Sequence, residues 1–163
     1  TYGSVDQINK FTSLFMNRIN NKPYEFIINF SKHKDKKFLE LHVHFQDNPN
    51  QNDYARFVVY KNNEKLNGIF LYDDRLTNGN YIDFFFFNFD DEEFIADDLI
   101  TVELQTIDEK THTYFKTLRN ARANARSGPF GSSAPANPET NWNNNALGYF
   151  SAFIVSEKSI VLN

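Results

Sequence analysis

At 163 residues the chain has the length of one domain, enough to bury roughly two thirds of its unfolded surface in a core of its own. Aromatic residues make up 17% of it, with 18 Phe, which excludes a disordered chain, and a net charge of -4 lacks the basic footprint of a nucleic-acid binder. The absence of Cys removes thiol nucleophiles and Cys-based zinc sites, and no run approaches 18 apolar residues, so no transmembrane helix is expected.

In chain order, the first pattern is helical. Val5, Ile8, Phe11, Phe15 and Ile19 recur at helical spacing behind Ser4, a capping residue with Gln7 three positions on, and predict a short helix over Val5 to Ile19. Neither an initiator Met nor a signal-peptide pattern stands at Thr1, so a signal segment is expected to be absent or already removed.

From Tyr24 onward the period becomes two. A strand over Tyr24 to Phe30 is followed by Phe38 to Phe45, where Leu39, Leu41, Val43 and Phe45 share one face and Glu40, His42 and His44 the other. That is the pattern of a strand with one buried side. Further strands are predicted at Ala55 to Tyr60, Gly68 to Tyr72, Tyr81 to Phe89, Leu99 to Ile107, Leu147 to Val155 and Ser159 to Leu162, between Asn, Asp, Gly and Pro punctuation. Asn62-Asn63 and Asn67-Gly68 bracket one reversal, and Asn78-Gly79 predicts a tight hairpin-type turn because both residues tolerate positive φ. Consecutive Phe84, Phe85, Phe86 and Phe87 alternate between faces, so their strand is expected to be covered on both, by the sandwich interior and by the helix or a loop.

After Ile107 the period changes again. Asp108 can cap the following turn, Glu109 lies in the first turn, and Arg119, Arg122 and Arg126 lie toward the end, the arrangement a helix dipole favours. A helix over Glu109 to Ala125 is expected, with Tyr114, Leu118, Ala121 and Ala125 on one stripe whose small residues allow a close approach to a sheet. Residues 127–145 then turn to Gly, Pro, Ser, Ala and Asn, the composition of a long packed surface loop. Together these elements predict a mainly β chain: an antiparallel β-sandwich, immunoglobulin-like or jelly-roll-like, with one helix near residues 109–125 and a single domain over 1–163.

Several segments in this order resemble a known family. Val43-His44-Phe45-Gln46-Asp47-Asn48-Pro49, then Asp53-Tyr54-Ala55-Arg56-Phe57, then Tyr72-Asp73-Asp74-Arg75-Leu76-Thr77-Asn78-Gly79 are similar to the middle of uncharacterised Bacteroidota lipoproteins encoded beside TonB-dependent outer-membrane receptors. Asp98-Leu99-Ile100-Thr101-Val102-Glu103-Leu104, Tyr114-Phe115-Lys116-Thr117-Leu118, Pro129-Phe130, Leu147-Gly148-Tyr149-Phe150 and Lys158-Ser159-Ile160 continue the likeness, which spans about Leu39 to Leu162. The resemblance implies the C-terminal part of a longer, exported lipoprotein at the outer membrane or cell surface, associated with an outer-membrane receptor for nutrient uptake. The lipid-bearing Cys and the immunoglobulin-like N-terminal domain of that family are not in this sequence, so membrane association would come from an anchor upstream of it. The family supplies no catalytic residues.

The residues themselves offer four candidate sites, each with an ordinary structural counterpart. His42 and His44, two apart on one strand face with Glu40 beside them and Asp47 nearby, could share a metal such as zinc or nickel, or could simply be the polar side of an amphipathic strand. Asp90-Asp91-Glu92-Glu93 with Asp97-Asp98 concentrates carboxylates, but without the spacing of a calcium loop it reads as a solvated turn; Asp73-Asp74 beside Arg75 reads as turn-forming. Lys116, Arg119, Arg122 and Arg126, with His112 at one edge, form a basic stripe that would dock an acidic partner or lipid headgroup, or be a solvated helix face. Trp142 among Asn141 and Asn143, with Tyr149 nearby, could bind a glycan or peptide, or the Trp could plug a gap over the helix. No nucleophile elbow, phosphate loop or His-Glu-x-x-His helix is present, and no cofactor is implied, so the expectation is a non-catalytic accessory or assembly module, with glycan or peptide binding through the Trp142 loop as the alternative.

Overall fold

The computed structural model describes residues 24–32, 39–50, 53–86, 89, 93–126, 137–140 and 148–163. Eight strands and one helix lie within them: β1 (Phe26–Lys32), β2 (Leu39–Gln46), β3 (Tyr54–Lys61), β4 (Glu64–Lys65), β5 (Phe70–Asp73), β6 (Tyr81–Phe85), β7 (Leu99–Ile107), α1 (Glu109–Arg126) and β8 (Ile154–Val161). The helix expected over Val5 to Ile19 falls outside the described residues.

The strands form two antiparallel sheets. One holds three strands in the order β1-β2-β6, and the other five, in the order β4-β3-β7-β8 with β5 also on β3. Period-2 alternation sends Leu41, Val43 and Phe45 of β2 to the same interior as Phe57 and Val59 of β3 and Ile100, Val102 and Leu104 of β7, all buried. Aromatic rings fill the space between the sheets. Phe57 meets Phe84 at 4.5 Å and Phe86 at 5.5 Å, and Phe45 meets Tyr72 edge-on at 5.1 Å. These are favourable edge-to-face and offset geometries, each adding about 0.5–1.5 kcal/mol beyond area burial. Among the described residues the architecture is mainly β, two antiparallel sheets with one helix, as the order of predicted elements implies.

Several local expectations differ from what forms. Asn62 and Asn63, both at positive φ (52° and 69°), close the β3–β4 hairpin, whose second strand is only two residues long and is not among the predicted strands. Asn78-Gly79, by contrast, does not close a hairpin. β5 pairs with β3 and β6 with β2, so this turn carries the chain from one sheet to the other. Gly79 has φ 76°, and a Cβ there would sit 2.8 Å from the Cβ of Pro49, so only glycine fits this close crossing. The strand expected over Leu147 to Val155 begins only at Ile154 and runs without a break through Val161.

Phe85 is also not covered as expected. It is 40% exposed on the outer side of the three-stranded sheet, because α1 packs against β3 and β5 of the other sheet. The helix does so with its first half, where Thr111, His112 and Phe115 are buried, while Leu118 and Ala121 of the expected stripe are only half-buried. Its start follows the sequence closely: Asp108 Oδ1 accepts the Thr111 N–H at 2.7 Å and its Oδ2 accepts the Thr111 hydroxyl at 3.0 Å, a double cap. Glu139 N–H donates to Thr117 Oγ1 at 2.9 Å, so the 137–140 part of the long connection lies along the helix.

Candidate functional site

The outer face of the three-stranded sheet is built from alternate residues of β1, β2 and β6. Register places Asn29 opposite His42 and Ile27 opposite His44 on one side, and Phe85 opposite His42 and Asp83 opposite His44 on the other. Four rings therefore stack in a column along this face: Tyr81 on His44 at 5.9 Å, His44 on His42 at 6.0 Å and 7° between planes, and His42 on Phe85 at 6.0 Å. Asp83 stands beside both imidazoles. His42 Nδ1 is 2.8 Å and His44 Nδ1 3.7 Å from Asp83 Oδ1. The other ring nitrogens turn to β1, His42 Nε2 to Ser31 Oγ at 2.9 Å and His44 Nε2 to Asn29 Oδ1 at 3.0 Å. His42 and His44 thus come together as expected, but with Asp83 as their acidic neighbour in place of Asp47.

Asp47 lies on the opposite side, in a second cluster that sequence reasoning missed. Asp47, Asp53 and Asp74 are all buried at the sandwich end where β2 stops, β3 starts and β5 stops, with carboxylate oxygens within 4.8 Å of one another. Tyr24 donates its hydroxyl to Asp53 Oδ2 and approaches Asp47 Oδ1 at 3.3 Å. Gly79 N–H donates to Asp47 Oδ2 at 2.8 Å and Asp53 N–H to Asp74 Oδ2 at 2.7 Å. These bonds tie the segment before β1, the β2–β3 connection and the sheet-crossing turn into one unit. Burial, followed by the hydrogen bond to Asp53, pushes the Tyr24 phenol far up; burial, with Asp47 and Asp74 nearby, pushes that of Tyr72 up to about 12. The only hint in the sequence was the pair of Asp residues bracketing Asn48 to Asn52.

Asp98 departs from the solvated turn expected of the acidic run. It is buried, accepting from Ile95 N–H at 2.9 Å and Asn62 Nδ2 at 2.8 Å, with Lys61 Nζ at 3.3 Å. The Ile95 amide first, then Asn62 and Lys61, hold its carboxyl below the usual range. Asp97 and Glu93 are exposed, while Asp90, Asp91 and Glu92 lie outside the described residues. Asp73 takes both Nε and Nη2 of Arg75, at 2.9 and 2.8 Å, a forked pair that confirms a structural part for it.

On α1, Lys116, Arg119 and Arg122 are exposed, and among the described residues none of the three makes an ion pair. The side chain of Arg126 is outside the described set. His112 is not on this stripe. It is buried under the helix, 5.1 Å from the Tyr54 ring, with Nε2 3.9 Å from Asp73 Oδ2. Burial lowers its pKa, Asp73 opposing and Lys116, Arg75 and Arg119 reinforcing. The neutral ring is therefore the folded form, and below its ordinary value near 6.5 the unfolded chain binds the extra proton first. Stability is complete above about pH 6.5 and falls as pH drops toward the depressed folded value. A series of urea titrations from pH 7 to 5 should show this slope in the native protein and a shallower one in His112→Gln; equal slopes would remove His112 as the cause.

Tyr149, considered for ligand contact, packs on Tyr114 at 4.6 Å and Phe115 at 4.8 Å, while Phe115 also carries the Arg56 guanidinium 4.0 Å from its ring centre. That stack joins the chain before β8 to the helix. Trp142, Asn141 and Asn143 lie outside the described residues. An open cleft of about 290 Å³ beside the β3–β4 hairpin brings Lys61, Glu64 and Lys65 together, with Lys61 turned to Asp98. No described helix is long and apolar enough to cross a membrane.

No curated protein and no solved structure matches the chain at a significant level. One family model, described as a domain of unknown function (DUF4249), matches residues 12–159. That span takes in every described strand except the last residues of β8, together with both polar clusters and the helix. The chain belongs to the DUF4249 family.

Proposed function

We propose that the chain is a non-catalytic accessory module of an exported Bacteroidota lipoprotein, docking on a TonB-dependent outer-membrane receptor through the exposed basic face of α1. The observation that carries the docking surface is the state of that helix. Its first half is fastened to the sheet by Thr111, His112 and Phe115, whereas Arg119, Asn120, Arg122, Ala123 and Asn124 are exposed. An exposed helix face with Lys116, Arg119 and Arg122 on one stripe complements an acidic surface, and such contacts steer association and set its salt dependence. The receptor as partner, the cell-surface address and the upstream lipid anchor rest on the family resemblance of the colinear segments.

The test is affinity capture from outer-membrane extract of the source organism, with mass spectrometry of what is recovered at near-stoichiometric yield. A TonB-dependent receptor barrel is expected in low salt, reduced at least tenfold by Lys116→Glu/Arg119→Glu/Arg122→Glu. Recovery of no receptor, or recovery that charge reversal leaves unchanged, would sink this reading.

A further inference from the structure

We propose that His42, His44 and Asp83 form a binding site for a first-row divalent cation of the zinc and nickel type, on the outer face of the three-stranded sheet. One ligand atom from each of the three lies within 4.8 Å of the others. An ion with ligand bonds of about 2.0–2.1 Å in tetrahedral geometry holds its donor atoms roughly 3.3 Å apart. The present separations of Asp83 Oδ1 from the two Nδ1 atoms, 2.8 and 3.7 Å, bracket that value. The two imidazole nitrogens and the carboxylate oxygen are the donor set that suits zinc and its borderline neighbours and does not suit calcium or magnesium.

The second ring nitrogens are already placed as a metal site requires. Ligating histidines give the N–H of the other nitrogen to an oxygen acceptor, which fixes the tautomer. Asn29 Oδ1 accepts from His44 Nε2–H at 3.0 Å, which leaves the Nδ1 lone pair of His44 turned toward Asp83. Ser31 Oγ stands 2.9 Å from His42 Nε2 and, as a hydroxyl, serves either tautomer. Without an ion, His42 donates from Nδ1 to Asp83 and accepts from Ser31; with one, Nε2–H donates to Ser31 and Nδ1 binds the metal. The change moves a proton between nitrogens without moving the strands. Tyr81 and Phe85 close the ring column at its two ends and hold the imidazole planes side by side.

The His42 and His44 side chains are only 16% and 14% exposed, whereas that of Asp83 is 52% exposed, so the fourth position faces solvent beside the carboxylate. A site with three protein ligands and one open position can take water or a donor group from a partner.

The experiment is calorimetric titration of the untagged chain with Zn2+ and Ni2+, with Mg2+ as control and Co2+ substitution followed by visible absorption. Saturable one-to-one binding of Zn2+ at micromolar affinity or tighter is expected, together with the absorption bands of tetrahedral Co2+. Asp83→Asn, on an exposed side chain, and His44→Ala should each weaken Zn2+ at least tenfold. Asn29→Ala, which keeps all three ligands, should weaken it by about 10- to 100-fold through loss of the tautomer-fixing acceptor. No saturable Zn2+ binding by the native chain, or binding that Asp83→Asn or His44→Ala leaves unchanged, overturns the proposal.

Discussion

Replacing Phe57 by Ala is expected to destabilise the fold by about 3–5 kcal/mol, a large part of the roughly 5–15 kcal/mol that holds a domain together. The side chain is 1% exposed on β3 of the five-stranded sheet. Its ring touches Phe84 of β6 and lies 6.2 Å from that of Phe45 on β2, both in the other sheet. Truncation removes the transfer free energy of a buried ring and leaves a cavity between two sheets whose backbone pairing prevents collapse. Urea unfolding followed by circular dichroism measures the loss. Leu76→Ala, at a side chain 96% exposed in the turn between the sheets, should change stability by no more than about 0.5 kcal/mol and serves as the control. A loss below about 1 kcal/mol for Phe57→Ala would mean that this ring does not join the sheets.

Tyr24→Phe is expected to cost about 2–3 kcal/mol, although it deletes a single oxygen. That hydroxyl is the donor shared by two buried carboxylates, of Asp53 and Asp47, and hydrogen bonds to charged acceptors exceed those between neutral groups. Removing the donor leaves the buried carboxylates of Asp47 and Asp53 one hydrogen bond short, with Gly79 N–H still donating to Asp47 Oδ2. Phe keeps the ring, and with it the edge-on contact to Phe45 at 5.4 Å, so packing is preserved and the loss reports the hydroxyl. The alkaline limb is a second readout. The Tyr24 phenol is raised well above its ordinary value near 10, first by burial and then by Asp53, so its stabilisation is complete below about pH 10 and is lost as pH rises beyond it. The variant should lose less stability above pH 10 than the native chain. A cost under 0.5 kcal/mol, with an unchanged alkaline limb, would contradict the part assigned to this hydroxyl.

Both residues were visible in the sequence only as aromatic members of strand-like runs. The alternation of Leu39 to Phe45 was enough to tell which residues of β2 turn inward, and the run Leu99 to Ile107 marked β7 to the residue, because a half-buried strand writes its period locally. The Asp108 cap, the Asn62-Asn63 reversal and the change to helical spacing after Ile107 are likewise local events within a few residues. The basic stripe of α1 was legible for the same reason.

What the sequence by itself determined, then, is the class of the fold, most of its elements and the inward face of β2. Strand partnership was decided by tertiary structure, since a period of two says which side chains share a face but not which strand lies beside them. His42 and His44 were joined to Asp83 only when β6 paired with β2, and Asp47 was carried away from them to Asp53 and Asp74 because it follows the strand into the buried end of the sandwich. The same long-range pairing turned Asn78-Gly79 into a crossing between sheets, buried Asp98 against Lys61, and left Phe85 on an open face, because each depends on residues far away in the chain.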